Sequence, residues 1–480
     1  MNNIAYHLLF VAAAASTGYA VTAFASDSTL GLVGLTSLLV AFIAVAKPKR
    51  TKAKTQKIRF KLPRITIQLL ALALVAVTFS GLRPTENATI GDFMLVGAAC
   101  VAALSALSSP MELRRVRVPF WLVVAALLLV TAAVIVSLVI GDMADNLVPA
   151  GRFVLTLLGV PAILCVAVRS IDEARVLAAA YCVSAIVNAA VGLTDYLGLT
   201  TLQASFTEVV SLGRSAGLTT HPNHLAMVCV IAMPVLLGLS KTFPRQSWRI
   251  VSYLGMSILG AGVLVSGSRT GIVATALIFA GLGAIEKSLR TQIVVASLVG
   301  AALLMSLSAI GPQSDFSFAV DRLRGESTQY SNVNVADRER QTILEDSLEG
   351  IKRHPLTGEG FGVVRDAHNV GLQMLQSGGP LALLGFLVFC AGVVYTGASI
   401  WRRAEIPKEV RWLGLGLTFG SIAWFLGALG QNLIYDRFLY VPAGLTLAVA
   451  AVVHRNRGAP QSIANTSRFL QPPASATRAP

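Results

Sequence analysis

Apolar runs, all but one of roughly 16 to 24 residues, recur along this 480-residue chain, separated by short polar segments, until one long polar interruption from about Gly311 to Asp366 breaks the rhythm. Fourteen runs lie near 4–25, 29–46, 65–82, 90–107, 119–140, 153–168, 174–197, 223–239, 250–267, 270–285, 291–310, 369–400, 412–430 and 437–453. At about 1.5 Å per residue such runs cross a hydrocarbon core of about 30 Å, and in hydrocarbon a backbone must satisfy its own hydrogen bonds. The pattern therefore predicts an all-α, polytopic transmembrane bundle of about 12 to 14 spans, with one long external loop between late spans. Ala23-Phe24-Ala25 resembles a cleavage site, but no Lys or Arg precedes the first apolar run, which predicts a retained span.

Charge sets the orientation. The chain carries 39 Lys and Arg against 24 Asp and Glu. With a cytoplasmic N-terminus, the excess of basic residues falls in the inner loops, as membrane insertion favours. Its largest piece, Lys47 to Arg64, holds nine basic residues and no acid, between two spans. That stretch has the character of an anionic-lipid contact; with Phe60 its single aromatic residue and a span on either side, it does not suit nucleic acid. Cys100, Cys165, Cys182, Cys229 and Cys390 fall within or at the ends of spans, as small core residues rather than a disulfide framework or a metal site. Ionisable residues are nearly absent from the middles of spans, which argues against an ion-coupled transporter. Asn188 is read as an interhelical hydrogen-bonding group, and Gly416-x-x-x-Gly420 as close helix packing.

Four polar constellations meet the outer face on this topology. The first is Arg214-Ser-Ala-Gly217 leading to His221-Pro222-Asn223, where glycine permits a tight turn and proline suits a first helical turn. The second is Ser266-Gly267-Ser268-Arg269, a short break whose hydroxyls, arginine and helix N-terminus together suit a phosphate. Third comes the long loop, in which Asp337 is expected to cap a helix reaching Arg353, with Leu344, Leu348 and Ile351 on one face, lying against the membrane or the other loops. A glycine-rich turn, His354 to Gly362, follows, and His368-Asn369 opens the next span. An imidazole, ordinarily titrating near 6.5, can accept a proton at external pH and pass it on, so His368 is the candidate base. The fourth is Gln431 to Arg437, where Asp436 can orient His368 or an arginine, or pair internally with Arg437. His221 and His224 have a spacing that zinc could use, but no good third ligand accompanies them.

The order of these motifs, with His354-Pro355-Leu356-x-Gly358-x-Gly360-x-Gly362 and His368-Asn369-x-x-Leu372-x-x-Leu375 before Gly378-Gly379, resembles the O-antigen ligase/polymerase superfamily across about residues 205–440. The resemblance implies a bacterial inner-membrane glycosyltransferase that works on the periplasmic side without a metal or other cofactor. Its donor would be a glycan on a polyprenyl (undecaprenyl) pyrophosphate carrier, its acceptor a glycan or lipid A-core hydroxyl, and membrane lipids its surroundings. On this resemblance Arg214, Arg269 and His368 are catalytic, and Ser268, Asn369 and Asp436 join Arg214 and Arg269 in binding substrate. Ligase, polymerase and transfer to another envelope acceptor all remain open, and a lipid-linked glycan flippase or exporter is the competing class. The chain is expected to divide into N-terminal spans at 1–200, a catalytic membrane region at 201–453 with its external loop at 311–367, and a disordered cytoplasmic tail at 454–480.

Overall fold

The computed structural model describes residues 64–84, 89–107, 119–141, 143–203, 214–243, 246–308, 333–362, 368–431, 434 and 436–458. The expected spans at 4–25 and 29–46, most of the Lys47 to Arg64 stretch, much of the long loop and the tail from 459 lie outside these residues, while 454–458, expected to begin a disordered tail, continue the last helix. Within them the protein is all helical and multi-pass. The order is α1 (Ile65–Ala76), α2 (Ile90–Leu107), α3 (Phe120–Ile140), α4 (Met143–Val154), a π-helical turn (Leu155–Gly159), α5 (Val160–Ala167), α6 (Ile171–Tyr196) and α7 (Pro222–Ser240). There follow α8 (Gln246–Val265), α9 (Arg269–Ile285), α10 (Lys287–Ser308), α11 (Val333–Arg353), α12 (Val370–Arg402), α13 (Lys408–Gly427), a 3-10 turn (Arg437–Tyr440) and α14 (Val441–Gly458).

Twelve of the fourteen expected runs thus coincide with helix. Among the described residues seven segments are long and apolar enough to cross a membrane, and the apolar helices at Ile65–Ala76, Ile90–Ser105, Ile250–Val265 and Arg269–Ile285 are shorter. The π turn precedes Pro161, whose missing N–H a regular helix could not use.

Helix α7 is the axis of the bundle: its span is 89% buried, against 33% for α3. It owes this to small residues. A Cβ on Gly238 would lie 2.6 Å from the Trp412 carbonyl, and one on Gly416 would lie 2.5 Å from the Pro234 carbonyl. The Gly416/Gly420 stripe therefore lets α13 approach the α7 backbone closely. Trp424, Phe386, Phe389 and Tyr440 fill the adjoining layer, the Trp424 and Tyr440 ring centroids 4.6 Å apart.

Helix α12 breaks at Gly378 and Gly379, and the glycine-rich turn after α11 inserts there. The Gln376 and Ser377 carbonyls released by the break accept the N–H groups of Glu359 at 2.6 Å and Gly360 at 3.1 Å. Glu359 also accepts from Gln376 Nε2 at 2.9 Å and lies 3.5 Å from the Arg353 guanidinium. An irregular stretch in a membrane helix survives only when protein supplies the missing partners, and here the turn supplies them.

Helix α11 begins at Val333, so Asp337 is an interior residue and not its cap. The face turned to α12 carries Ser347 and Gly350, both buried, with Gly350 against Glu359 and Gln376. Leu344 and Leu348 are 40% and 41% exposed, because only the small-residue side allows α11 to sit close to the broken helix.

Gly379 has φ +65° and ψ −163°, a region essentially reserved for glycine, and its missing Cβ would collide with the Leu356 carbonyl. Gly379→Ala is expected to destabilise the protein by about 1–3 kcal/mol, read as a lowered thermal midpoint of the detergent-solubilised protein, whereas Gly97→Ala, at a site with open space, should change little.

Candidate functional site

The loop before α7 is shaped by contacts from the N-terminal helices. Asn188, fully buried in α6, donates through Nδ2 to the Thr78 carbonyl at 2.9 Å and accepts the Leu218 N–H at 2.8 Å. Gly81 N–H donates to the Leu218 carbonyl at 2.9 Å. Gly217, at φ +56°, lies so close to Asn188 that a Cβ would be 2.6 Å from the Asn188 carbonyl. Gln203 Oε1 accepts from Ala216 N–H at 2.9 Å and Ser215 Oγ at 3.1 Å, and Asp195 in turn holds Gln203 N–H at 2.6 Å.

This scaffold delivers Arg214 to the second motif. Its Nε donates to the Ser266 carbonyl at 2.8 Å and its Nη2 to Asn223 Oδ1 at 2.8 Å. Ser215 N–H donates to the Val265 carbonyl at 3.0 Å, so two loops distant in sequence close as one unit. Within the Ser-Gly-Ser-Arg turn Gly267 has φ +59°, and Ser268 caps α9 by accepting the Gly271 N–H at 3.3 Å. Arg269 is the first residue of α9, at the positive end of its dipole.

Three further groups arrive at the same end of the bundle. Asn369 caps α12, accepting the Leu372 N–H at 3.1 Å and donating to the Leu429 carbonyl at 3.2 Å, while Val370 N–H donates to the Ala428 carbonyl at 2.8 Å. Immediately before it, His368 has φ +48°, the one non-glycine residue with positive φ among the described residues. Gln431 Nε2 donates to Ser268 Oγ at 3.1 Å, tying the 428–431 turn to the start of α9.

Asp436 and Arg437 go to different partners. Asp436 Oδ2 lies 3.4 Å from His224 Nδ1, which also lies 3.1 Å from Thr220 Oγ1; Arg437 pairs with Asp92 at 2.7 Å. The sequence expectation of an Asp436–Arg437 pair, or of Asp436 orienting His368, is corrected accordingly. A 3-10 turn starting at Arg437 sends consecutive side chains in different directions. Among the described residues no group of three His, Cys, Asp or Glu could hold a metal ion.

His221 and His224, which the sequence offered only as a weak zinc spacing beside Arg214, lie within this cluster, their ring centroids 5.9 Å apart. His221 caps α7 through Nδ1, which accepts the Asn223 N–H at 3.1 Å, so the neutral ring carries its proton on Nε2. Burial first, then the nearby His224, Arg214, His368 and Arg340, push its pKa down to about 3. That ring is thus a neutral donor, unsuited to act as a base. The same effect puts His368, Arg214 and, from α11, Arg340 in one electrostatic neighbourhood; Arg340 carried no sequence motif that singled it out.

Residues 254–387 match the O-antigen ligase family model. The matched O-antigen ligase segment contains Ser266–Arg269 and His368–Asn369, while Arg214, His221, His224, Gln431 and Asp436 join it only through the tertiary contacts above. No curated protein matches the chain.

Unfolded, His221 titrates near 6.5, and folded near 3, so between these values the unfolded state binds more protons. The stability held by neutral His221 is complete above pH 6.5 and declines as pH falls through this window, by at most about 1.4 kcal/mol per unit. The thermal midpoint of the wild type should therefore drop between pH 7 and pH 5, and His221→Asn, which keeps a capping acceptor, should flatten that drop. Asn188→Leu would orphan the Leu218 N–H and the Thr78 carbonyl and should cost about 2 kcal/mol or more, measured by thermal unfolding in detergent.

Proposed function

We propose that the protein is an inner-membrane glycosyltransferase that moves a glycan from an undecaprenyl-pyrophosphate carrier to an acceptor hydroxyl on the periplasmic side. The observation that carries this reading is the bond from Arg214 Nε to the Ser266 carbonyl, which seats one arginine on the turn that ends in the other. Departure of a lipid diphosphate concentrates negative charge on the leaving oxygens. Fixed guanidinium groups and the N-terminus of α9 in a partly dehydrated site stabilise that charge without reorganising, the role a divalent ion plays elsewhere.

His368 takes the proton of the acceptor hydroxyl as its oxygen bonds to the anomeric carbon. The bond from that carbon to the phosphate oxygen breaks, and the diphosphate leaves with the electron pair. Attack opposite the leaving group inverts the anomeric centre. Asn369 holds His368 against the 428–431 turn, His221 stays neutral beside it, and Asp436 acts through His224. Both the O-antigen ligase and the polymerase reaction fit this chemistry; the acceptor, lipid A-core or a second carrier-linked glycan, separates them. The supports for the Arg214 loop from the turn after α1 and from α6 tie the N-terminal spans to the proposed catalytic region.

His368→Ala and Arg214→Ala are each expected to lower glycan transfer at least a hundredfold, measured as carrier diphosphate released in proteoliposomes, with protein accumulation unchanged. Normal turnover in either variant removes that residue from the mechanism. Movement of intact lipid-linked glycan across the bilayer without carrier release would instead favour a flippase.

A further inference from the structure

The strongest unexplained group at this site is the side chain of Gln431. It is 3% exposed, and its Nε2 is committed to Ser268 Oγ. Its Oε1 is buried, and among the described residues none donates to it. Buried carbonyl oxygens are nearly always paired, so an open one beside a candidate site points to a donor that arrives with the ligand. Gln373 and Gln376 also have unpaired oxygens, but neither is bonded to the Ser-Gly-Ser-Arg turn.

Ser268 sharpens the assignment. Its oxygen accepts from both Gly271 N–H and Gln431 Nε2, which occupies its two lone pairs and leaves its proton to give. Side by side, the pair therefore offers one O–H donor and one carbonyl acceptor. Phosphate oxygens only accept, and a sugar hydroxyl or acetamido N–H donates.

Position agrees with this division. The 428–431 turn receives Val370 N–H and Asn369 Nδ2 next to His368, and Gly430 packs on Thr270 at the start of α9. Gln431 therefore bridges the base side and the leaving-group side, where the reacting carbon must lie. The geometry points to Gln431 as a specificity-determining residue: Ser268 O–H binds the phosphate, and Gln431 Oε1 accepts from the hydroxyl or amide N–H on the sugar carbon next to the anomeric centre. This inference rests on the transferase reading and names what that site selects in its donor.

The test measures binding separately from transfer, using full-length protein and three ligands. They are undecaprenyl pyrophosphate bearing 2-acetamido-2-deoxyglucose, the same carrier bearing 2-deoxyglucose, and the carrier diphosphate without sugar. Wild type should bind the first about tenfold more tightly than the second. Gln431→Met should abolish that ratio while changing affinity for the second and third less than about twofold. Gln431→Glu keeps an acceptor but adds negative charge, so it should weaken all three ligands and preserve the ratio. An equal loss for all three in Gln431→Met, or a wild type blind to the acetamido group, overturns the assignment. A wild type that discriminates between donors but transfers neither would sink the enzyme reading and leave the Gln431 contact standing.

Discussion

The bond from the Arg214 guanidinium to the Ser266 carbonyl organises one end of this bundle. Where α8 ends, its last carbonyls have no partner in the next turn, and in a membrane protein water is a poor substitute. Arg214 meets the Ser266 carbonyl and Ser215 meets that of Val265, so a need of the backbone brings a cation to a phosphate-like turn. The residue that meets this structural demand is also the one proposed to meet the chemical one, and that is why the loop before α7 must be held so firmly.

The holding comes from helices that carry no motif of their own. Asn188 reads one carbonyl of the α1 end and one N–H of the Arg214 loop; Asp195 fixes Gln203, which fixes Ala216. Asp92 receives Arg437, and Asn146 of α4 lies against Gly360 and accepts the Gly362 N–H at 3.4 Å. Inside a low-dielectric bundle such polar contacts are few and each must be satisfied, so they specify one arrangement of loops. Glycine does the complementary work at the α12 break, where the inserted turn supplies donors that a continuous helix would have supplied itself.

Electrostatics then assigns roles among the imidazoles. His221 lies half-buried beside two arginines and two other histidines, which keeps it neutral with its proton on Nε2. His224 is paired with Asp436. His368 alone sits at a helix entrance in a left-handed backbone conformation, an arrangement that a non-glycine residue adopts only when its surroundings impose it. The 428–431 turn holds the two residues that follow His368, Asn369 and Val370, and at the same time presents Gln431 to the start of α9.

The chain's helices were legible from its sequence because length and apolarity are local properties: a run long enough to cross hydrocarbon has no other stable conformation. Arg214, Ser268, Arg269, His368 and Asn369 were legible as well, since each sits at a polar break beside an apolar run. The extent of α11 and its packing face were not, because Gly350 and Ser347 matter only opposite Glu359 and α12. Nor could the sequence say that Asp436 meets His224, that Asp92 meets Arg437, or that Gln431 reaches Ser268. Those pairings span from 163 to 345 residues or cross between helices, and they are decided by which helices pack together and in what rotation, a property of the folded bundle that no local pattern encodes.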